Sequence, residues 1–100
     1  MNEFILLGVL EDIELLDETP SGIKLINFVV KVTKNYKSNQ PFDEFRVTAF
    51  KDLAEEIALS AIVGQGILIK GRLQANNYRK DDKVYYSPEL LADKIMYIKK

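Results

Sequence analysis

Phe45-Arg46-Val47-Thr48-Ala49-Phe50-Lys51-Asp52-Leu53-Ala54-Glu55-Glu56-Ile57 changes its apolar period partway along. Phe45, Val47 and Ala49 fall on one side and Arg46, Thr48 and Phe50 on the other, the two-residue repeat of a strand with one dry face. From Leu53 the apolar residues recur at Ile57 and Ala61, which is helical spacing. Asp52, with Glu55 three positions on, forms a capping-box arrangement that predicts the helix start. Gly64-Gln65-Gly66 is expected to end it.

Strand signals lie on both sides of this passage. Downstream, Ile67–Asn76 puts Ile69, Gly71, Leu73 and Ala75 on one face and Lys70, Arg72, Gln74 and Asn76 on the other. Asn77–Lys83 reads as a charged hairpin loop, and Val84–Ile98 as the last strand, with Pro88 at an edge or bulge because it has no N–H for the ladder. Upstream, Phe4–Leu10 is β-prone, with Gly8 suggesting a bulge or tight bend, and the pattern resumes over Ile13–Leu16. Thr19-Pro20-Ser21-Gly22 is a turn, and Ile23–Lys34 a long strand with Ile26, Phe28, Val30 and Val32 on its dry side. Asn35–Phe42 is a polar loop. Three strands, a helix, then two strands is the order of an OB fold: an all-β, five-stranded Greek-key barrel with its helix between strands three and four, although order alone leaves other small β barrels open.

Bulk composition restricts the function. One hundred residues make one ordinary domain, 1–100, with 47% apolar residues to fill a core. No apolar stretch reaches membrane-spanning length, and no secretory signal opens the chain, so the cytoplasm is the expected compartment. There is no Cys and no His, which removes disulfides, thiolate and imidazole catalysis and the usual zinc ligands. Adjacent acid pairs such as Glu55-Glu56 and Asp81-Asp82 sit in no catalytic setting, so a binding protein without cofactor or metal is expected.

Charge is unevenly distributed along a chain of net −1. Glu3, Glu11, Asp12, Glu14, Asp17 and Glu18 lie in 1–23 without one Lys or Arg, and all 14 basic residues follow. Such segregation can present one positive face, or leave a solvated acidic edge.

The polar phases of the middle strands carry Lys31, Thr33, Arg46, Thr48, Phe50, Lys70, Arg72, Gln74 and Asn76. Around them stand Tyr36 between Lys34 and Lys37, Tyr78 beside Arg79, Lys80 and Lys83, and then Tyr85 and Tyr86. Rings among cations suit unpaired nucleic acid, because a ring stacks on any base and Lys or Arg neutralises the backbone. Phe50 either covers the barrel's open side or stacks a base; Tyr85 and Tyr86 point to opposite faces, so at most one serves.

Along nearly its whole length the chain resembles the bacterial single-stranded DNA-binding protein family. The resemblance is carried by Asn2–Leu10, Thr19-Pro20-Ser21-Gly22 with Asn27-Phe28, Phe45–Phe50 with Leu53-Ala54-Glu55, and Ile69-Lys70-Gly71-Arg72-Leu73-Gln74 trailing to Asn77-Tyr78, Tyr86 and Glu89. It implies base stacking at Tyr36, Phe50 and Tyr78, joined by Tyr86, and strand contact at Arg46, Arg72 and the loop lysines. It also implies a homotetramer wrapped by DNA, association with the nucleoid, and a role in replication, recombination and repair. Asp43 and Glu44 stand where the family carries another stacking aromatic, and Gln74 and Asn76 where it carries cations, so weaker binding is expected. The family's acidic, Phe-tipped tail recruits enzymes; this sequence ends at Lys99-Lys100, so those partners are not expected. Two other readings compete. One is a primosomal-type replication-restart protein, dimeric; the other is an OB interaction module that binds protein or sugar through its acidic first segment.

Overall fold

The computed structural model describes residues 1–34 and 39–98. Its elements run β1 (Phe4–Ile13), β2 (Asp17–Glu18), β3 (Lys24–Thr33), β4 (Phe42–Phe50), α1 (Lys51–Ser60), β5 (Gly66–Ala75), β6 (Tyr78–Lys80), β7 (Lys83–Tyr85) and β8 (Pro88–Ile98). The main sheet has the order β1-β5-β8-β4-β3-β2, and β1 also pairs with β3, so five long strands close into a barrel. All pairings are antiparallel except β4–β8, which is parallel. This is the OB architecture that the strand order predicts.

Closure makes β1 serve two neighbours. Phe4–Val9 pair with β5, and Val9–Ile13 with β3. The handover needs a bulge, and the register shifts between Leu10 and Asp12, two residues beyond the Gly8 that the sequence favours. Gly8 instead makes room: a side chain there would collide with the Lys31 carbonyl, so its missing Cβ lets β3 cross. β1 runs unbroken through Ile13 and ends there, so the resumed strand expected over Ile13–Leu16 reaches only Ile13; Leu15 and Leu16 lie outside it, exposed.

Alternation does fill the core. Ile26, Phe28 and Val30 from β3, Val47 and Ala49 from β4, and Ile67 and Ile69 from β5 meet Leu10 in the barrel. Each of these Val, Leu, Ile and Phe side chains stabilises the fold by roughly 1.5–3 kcal/mol of apolar burial. α1 adds Ala54 and Ile57.

The helix starts and ends differently from the sequence expectation. Phe50 is its N-cap residue, with no side-chain cap bond, because β4 runs straight into α1 through Lys51 at φ 58°. Asp52 therefore sits inside the first turn, where its charge suits the helix dipole. α1 stops at Ser60, with the Ala61 N–H donating to the Ile57 carbonyl (3.0 Å); Gly64, at φ 95°, belongs to the turn beyond.

Two other boundaries move. β4 begins at Phe42, inside the expected loop, because Asp43 and Glu44 pair across from Val32 and Lys31. The expected last strand splits: Val84 lies in the β6–β7 hairpin, and β8 begins at Pro88, a first position where a missing N–H costs nothing in the ladder.

Candidate nucleic-acid interface

β3 and β4 pair along their full length, so their outward residues form one ladder: Leu25 beside Phe50, Asn27 beside Thr48, Val29 beside Arg46, Lys31 beside Glu44, and Thr33 beside Phe42. β4 and β8, by contrast, pair only at Val47–Leu90 and Thr48–Leu91. The divergence of these two strands opens a groove. Asn27, Arg46, Thr48, Phe50, Asn76, Pro88 and Glu89 line a cavity of about 520 Å³ there. Half-buried Phe50 also borders a neighbouring hollow with Arg72 and Asp93.

Polar groups in the groove are held in place. Thr48 Oγ1 donates to Asn27 Oδ1 at 2.5 Å, and Asn76 Nδ2 donates to Glu89 Oε1 at 3.0 Å. Arg46 donates through Nη2 and Nε to Glu14 Oε2, at 3.1 and 3.3 Å. Arg72 pairs with Asp93. Lys31 Nζ lies 4.5 Å over the Phe42 ring, a cation–π contact.

Beyond the groove, Asp81 and Asp82, both at positive φ, make the tight turn of a hairpin. Cross-strand pairing sets Tyr78 beside Tyr85 and Lys80 beside Lys83, so one hairpin face carries two rings and two ammonium groups. The rings stack at 5.1 Å with an 11° tilt, and Lys83 Nζ stands 5.5 Å from the Tyr85 centroid. Arg79 occupies the opposite hairpin face with Val84. Tyr86, 78% exposed, borders a hollow with Leu73, Ala75 and Pro88.

The predicted site residues therefore divide. Arg46 and Phe50 share the groove with Arg72 alongside; Lys31 continues the same ladder; Tyr78, Lys80 and Lys83 sit together on the hairpin. Lys34 pairs with Asp43 at 3.3 Å. Lys70 is apart: it stands across from Ile5 of β1 and pairs with Glu3 at 3.5 Å, outside the groove lining. Tyr36 and Lys37 lie outside the described residues.

Folding also redistributes the charge that the sequence segregates. Glu3, Glu14 and Glu18 pair with Lys70, Arg46 and Lys24, so three of the six acids of the first segment are interleaved with cations from the rest of the chain. Such exposed pairs are worth only about 0–1 kcal/mol each and are screened by salt, so a phosphate can replace the carboxylate. Among the described residues, Arg79, Lys80 and Lys83 have no ion pair.

Sequence reasoning left part of this surface open and missed another part. It offered Tyr85 and Tyr86 as alternatives, and the two-residue Asp81-Asp82 turn sets Tyr85 opposite Tyr78. Phe42 was hidden by the misplaced loop boundary, yet it shares the outward phase of Phe50. Asn27, Asn76 and Glu89 stand out singly in the sequence, but that they share one groove is visible only once β8 diverges from β4.

A closed OB barrel with an open aromatic and cationic groove on its β3–β4 face defines a class of oligonucleotide- or oligosaccharide-binding proteins. Residues 1–98 match the Single-strand binding protein family, and the chain belongs to that family. It is 26% identical over 103 residues to a single-stranded DNA-binding protein of Aquifex aeolicus, covering 98% of this chain and 70% of that relative. It is 28% identical to one of Oceanobacillus iheyensis and 29% identical to single-stranded DNA-binding protein 1 of Staphylococcus aureus, covering 98% of this chain each time and 63% and 65% of those relatives. The chain thus spans about two thirds of the length of these relatives.

Proposed function

We propose that this chain binds single-stranded DNA by stacking bases on exposed rings and neutralising the backbone with Lys and Arg, in support of replication, recombination and repair. The observation that carries this reading is the shared hairpin face of Tyr78, Tyr85, Lys80 and Lys83, next to a groove walled by Phe50 and Arg46. A duplex hides its base faces, so these rings select unpaired strands. The protein acts by binding, not catalysis, and its place of work is the cytoplasm. Titration with a thymine oligomer and with a duplex of equal length tests this: the single strand binds more tightly, and equal binding contradicts it.

Assembly follows from a second surface. Outward residues of β1, β5 and β8 align as Leu7–Leu68–Met96 and Val9–Gly66–Ile98, with Ile5 beside them. Ile5 is 64%, Leu7 57% and Met96 62% exposed, a contiguous apolar face of the kind that marks an interface. This supports a homo-oligomer, a tetramer by the family reading. Sedimentation equilibrium gives four chains on this account, and a stable dimer favours the replication-restart alternative.

A further inference from the structure

The groove holds one group that backbone binding leaves unexplained. Glu89, half-buried, brings a carboxylate to the wall of a surface meant for a polyanion. It is not matched to a cation: its partner is the neutral Asn76 amide, whose Nδ2 fixes Oε1 at 3.0 Å and leaves Oε2 without a donor among the described residues. Opposite, Thr48 occupies Asn27 Oδ1, so Asn27 has its Nδ2 donor left to offer. Phe50 supplies a ring in the same cavity, whose volume of about 520 Å³ admits a purine.

A carboxylate repels phosphate and accepts from N–H groups. Of the four DNA bases, guanine alone presents two adjacent donors, N1–H and the 2-amino group, that both point at one carboxylate, with an O6 acceptor beside them. Adenine and cytosine present a single amino group next to an acceptor, and thymine a single N3–H between two carbonyls. We propose that the Phe50–Asn27–Glu89 cavity is a guanine-reading subsite within an otherwise sequence-tolerant groove, Glu89 accepting from the Watson–Crick edge and Asn27 donating to O6. The proposal rests on the single-strand reading above and adds a base preference to it.

The test uses the shortest thymine oligomer that binds, with one central thymine replaced by guanine, adenine, cytosine or inosine. Purine stacking is similar for guanine and adenine, so their affinity ratio isolates edge recognition. A well-made bidentate contact predicts a guanine-to-adenine ratio of about fivefold or more. Inosine, which lacks the 2-amino group, loses most of that gain without any change to the protein. In Glu89→Gln the ratio falls to near one; a general loss of affinity cancels in the ratio. Equal affinities for guanine and adenine, or a preference that survives in Glu89→Gln, overturn the subsite while leaving single-strand binding intact. Failure of every oligomer to bind removes the single-strand reading, and the subsite with it.

Discussion

The ring of Tyr78 lies face to face with that of Tyr85, their centroids 5.1 Å apart and their planes 11° from parallel. Rings already in contact leave no gap between them, so on the proposed reading a base would stack on an outer face of the pair. The pair also splints the hairpin, whose two central turn residues are Asp at positive φ, a conformation Asp tolerates less well than Gly.

Replacing Tyr78 or Tyr85 by Ala is therefore expected to weaken oligo-thymine binding by about fivefold or more, given about 1–3 kcal/mol per stacked base. The double variant loses less than the sum of the two, since either change alone already breaks the pair. Fluorescence titration of the single and double variants measures this; strictly additive losses would mean that the rings act separately.

Ionic strength separates backbone contacts from stacking. Single-strand binding loses affinity on a log–log salt plot with a slope of about 0.7 per neutralised phosphate. Lys80→Ala with Lys83→Ala should flatten that slope by about 1.4. Tyr85→Phe should leave it unchanged. A salt titration that shows the same slope in the lysine variant removes the hairpin from the backbone path.

Arg46 is tethered to Glu14 by two hydrogen bonds to one carboxylate oxygen. Glu14→Gln weakens that tether, and affinity for single strands is expected to rise a few-fold at low salt and to converge with the parent at high salt. Both side chains are well exposed, so unfolding stability should shift by no more than about 0.5 kcal/mol. Unchanged affinity at low salt would show that Arg46 does not meet the strand.

Glu11 and Glu44 approach each other at the β1 bulge, and Glu11 Oε2 is enclosed without a donor. A hydrogen bond to Glu44 that needs a proton, then desolvation, then the charge of Glu44 raise the Glu11 carboxyl above its ordinary value of 4.5, against the pull of Lys31. The folded protein thus keeps a proton on Glu11 where the unfolded chain has released it. Stability rises as pH falls from the raised value to 4.5 and levels off below it. Glu11→Gln should melt at a higher temperature than the parent at neutral pH, and this advantage should shrink as pH approaches 4.5. An advantage that is constant with pH would rule out the proton.

Alternation was enough to assign the dry face of each strand. Ile26, Phe28, Val30, Val47, Ala49, Ile67 and Ile69 follow period two and all face inward, because one dry face per strand leaves no other register. Boundaries were less legible. Phe42–Glu44 looks like loop because two acids interrupt the pattern, yet backbone pairing to Val32 and Lys31 carries the strand through them. Asp52 has the chemistry of a cap but sits inside the first turn, since the chain turns at Lys51. The site was half legible. Residues on one strand, such as Arg46 and Phe50, could be grouped by phase, but Asn27, Asn76 and Glu89 meet only because β8 leaves β4 after two pairs. Linear charge segregation is only partly kept on folding, as Glu14–Arg46 and Glu3–Lys70 show.

The central claim is that one continuous surface, from the β3–β4 ladder to the hairpin, holds the strand. A backbone-amide NMR titration with a thymine oligomer tests it most directly. Shifts should concentrate at Asn27, Arg46, Thr48 and Phe50 and over Tyr78–Tyr85. Shifts confined to the apolar β1–β5–β8 face, with the groove and hairpin amides unmoved at saturation, would contradict it.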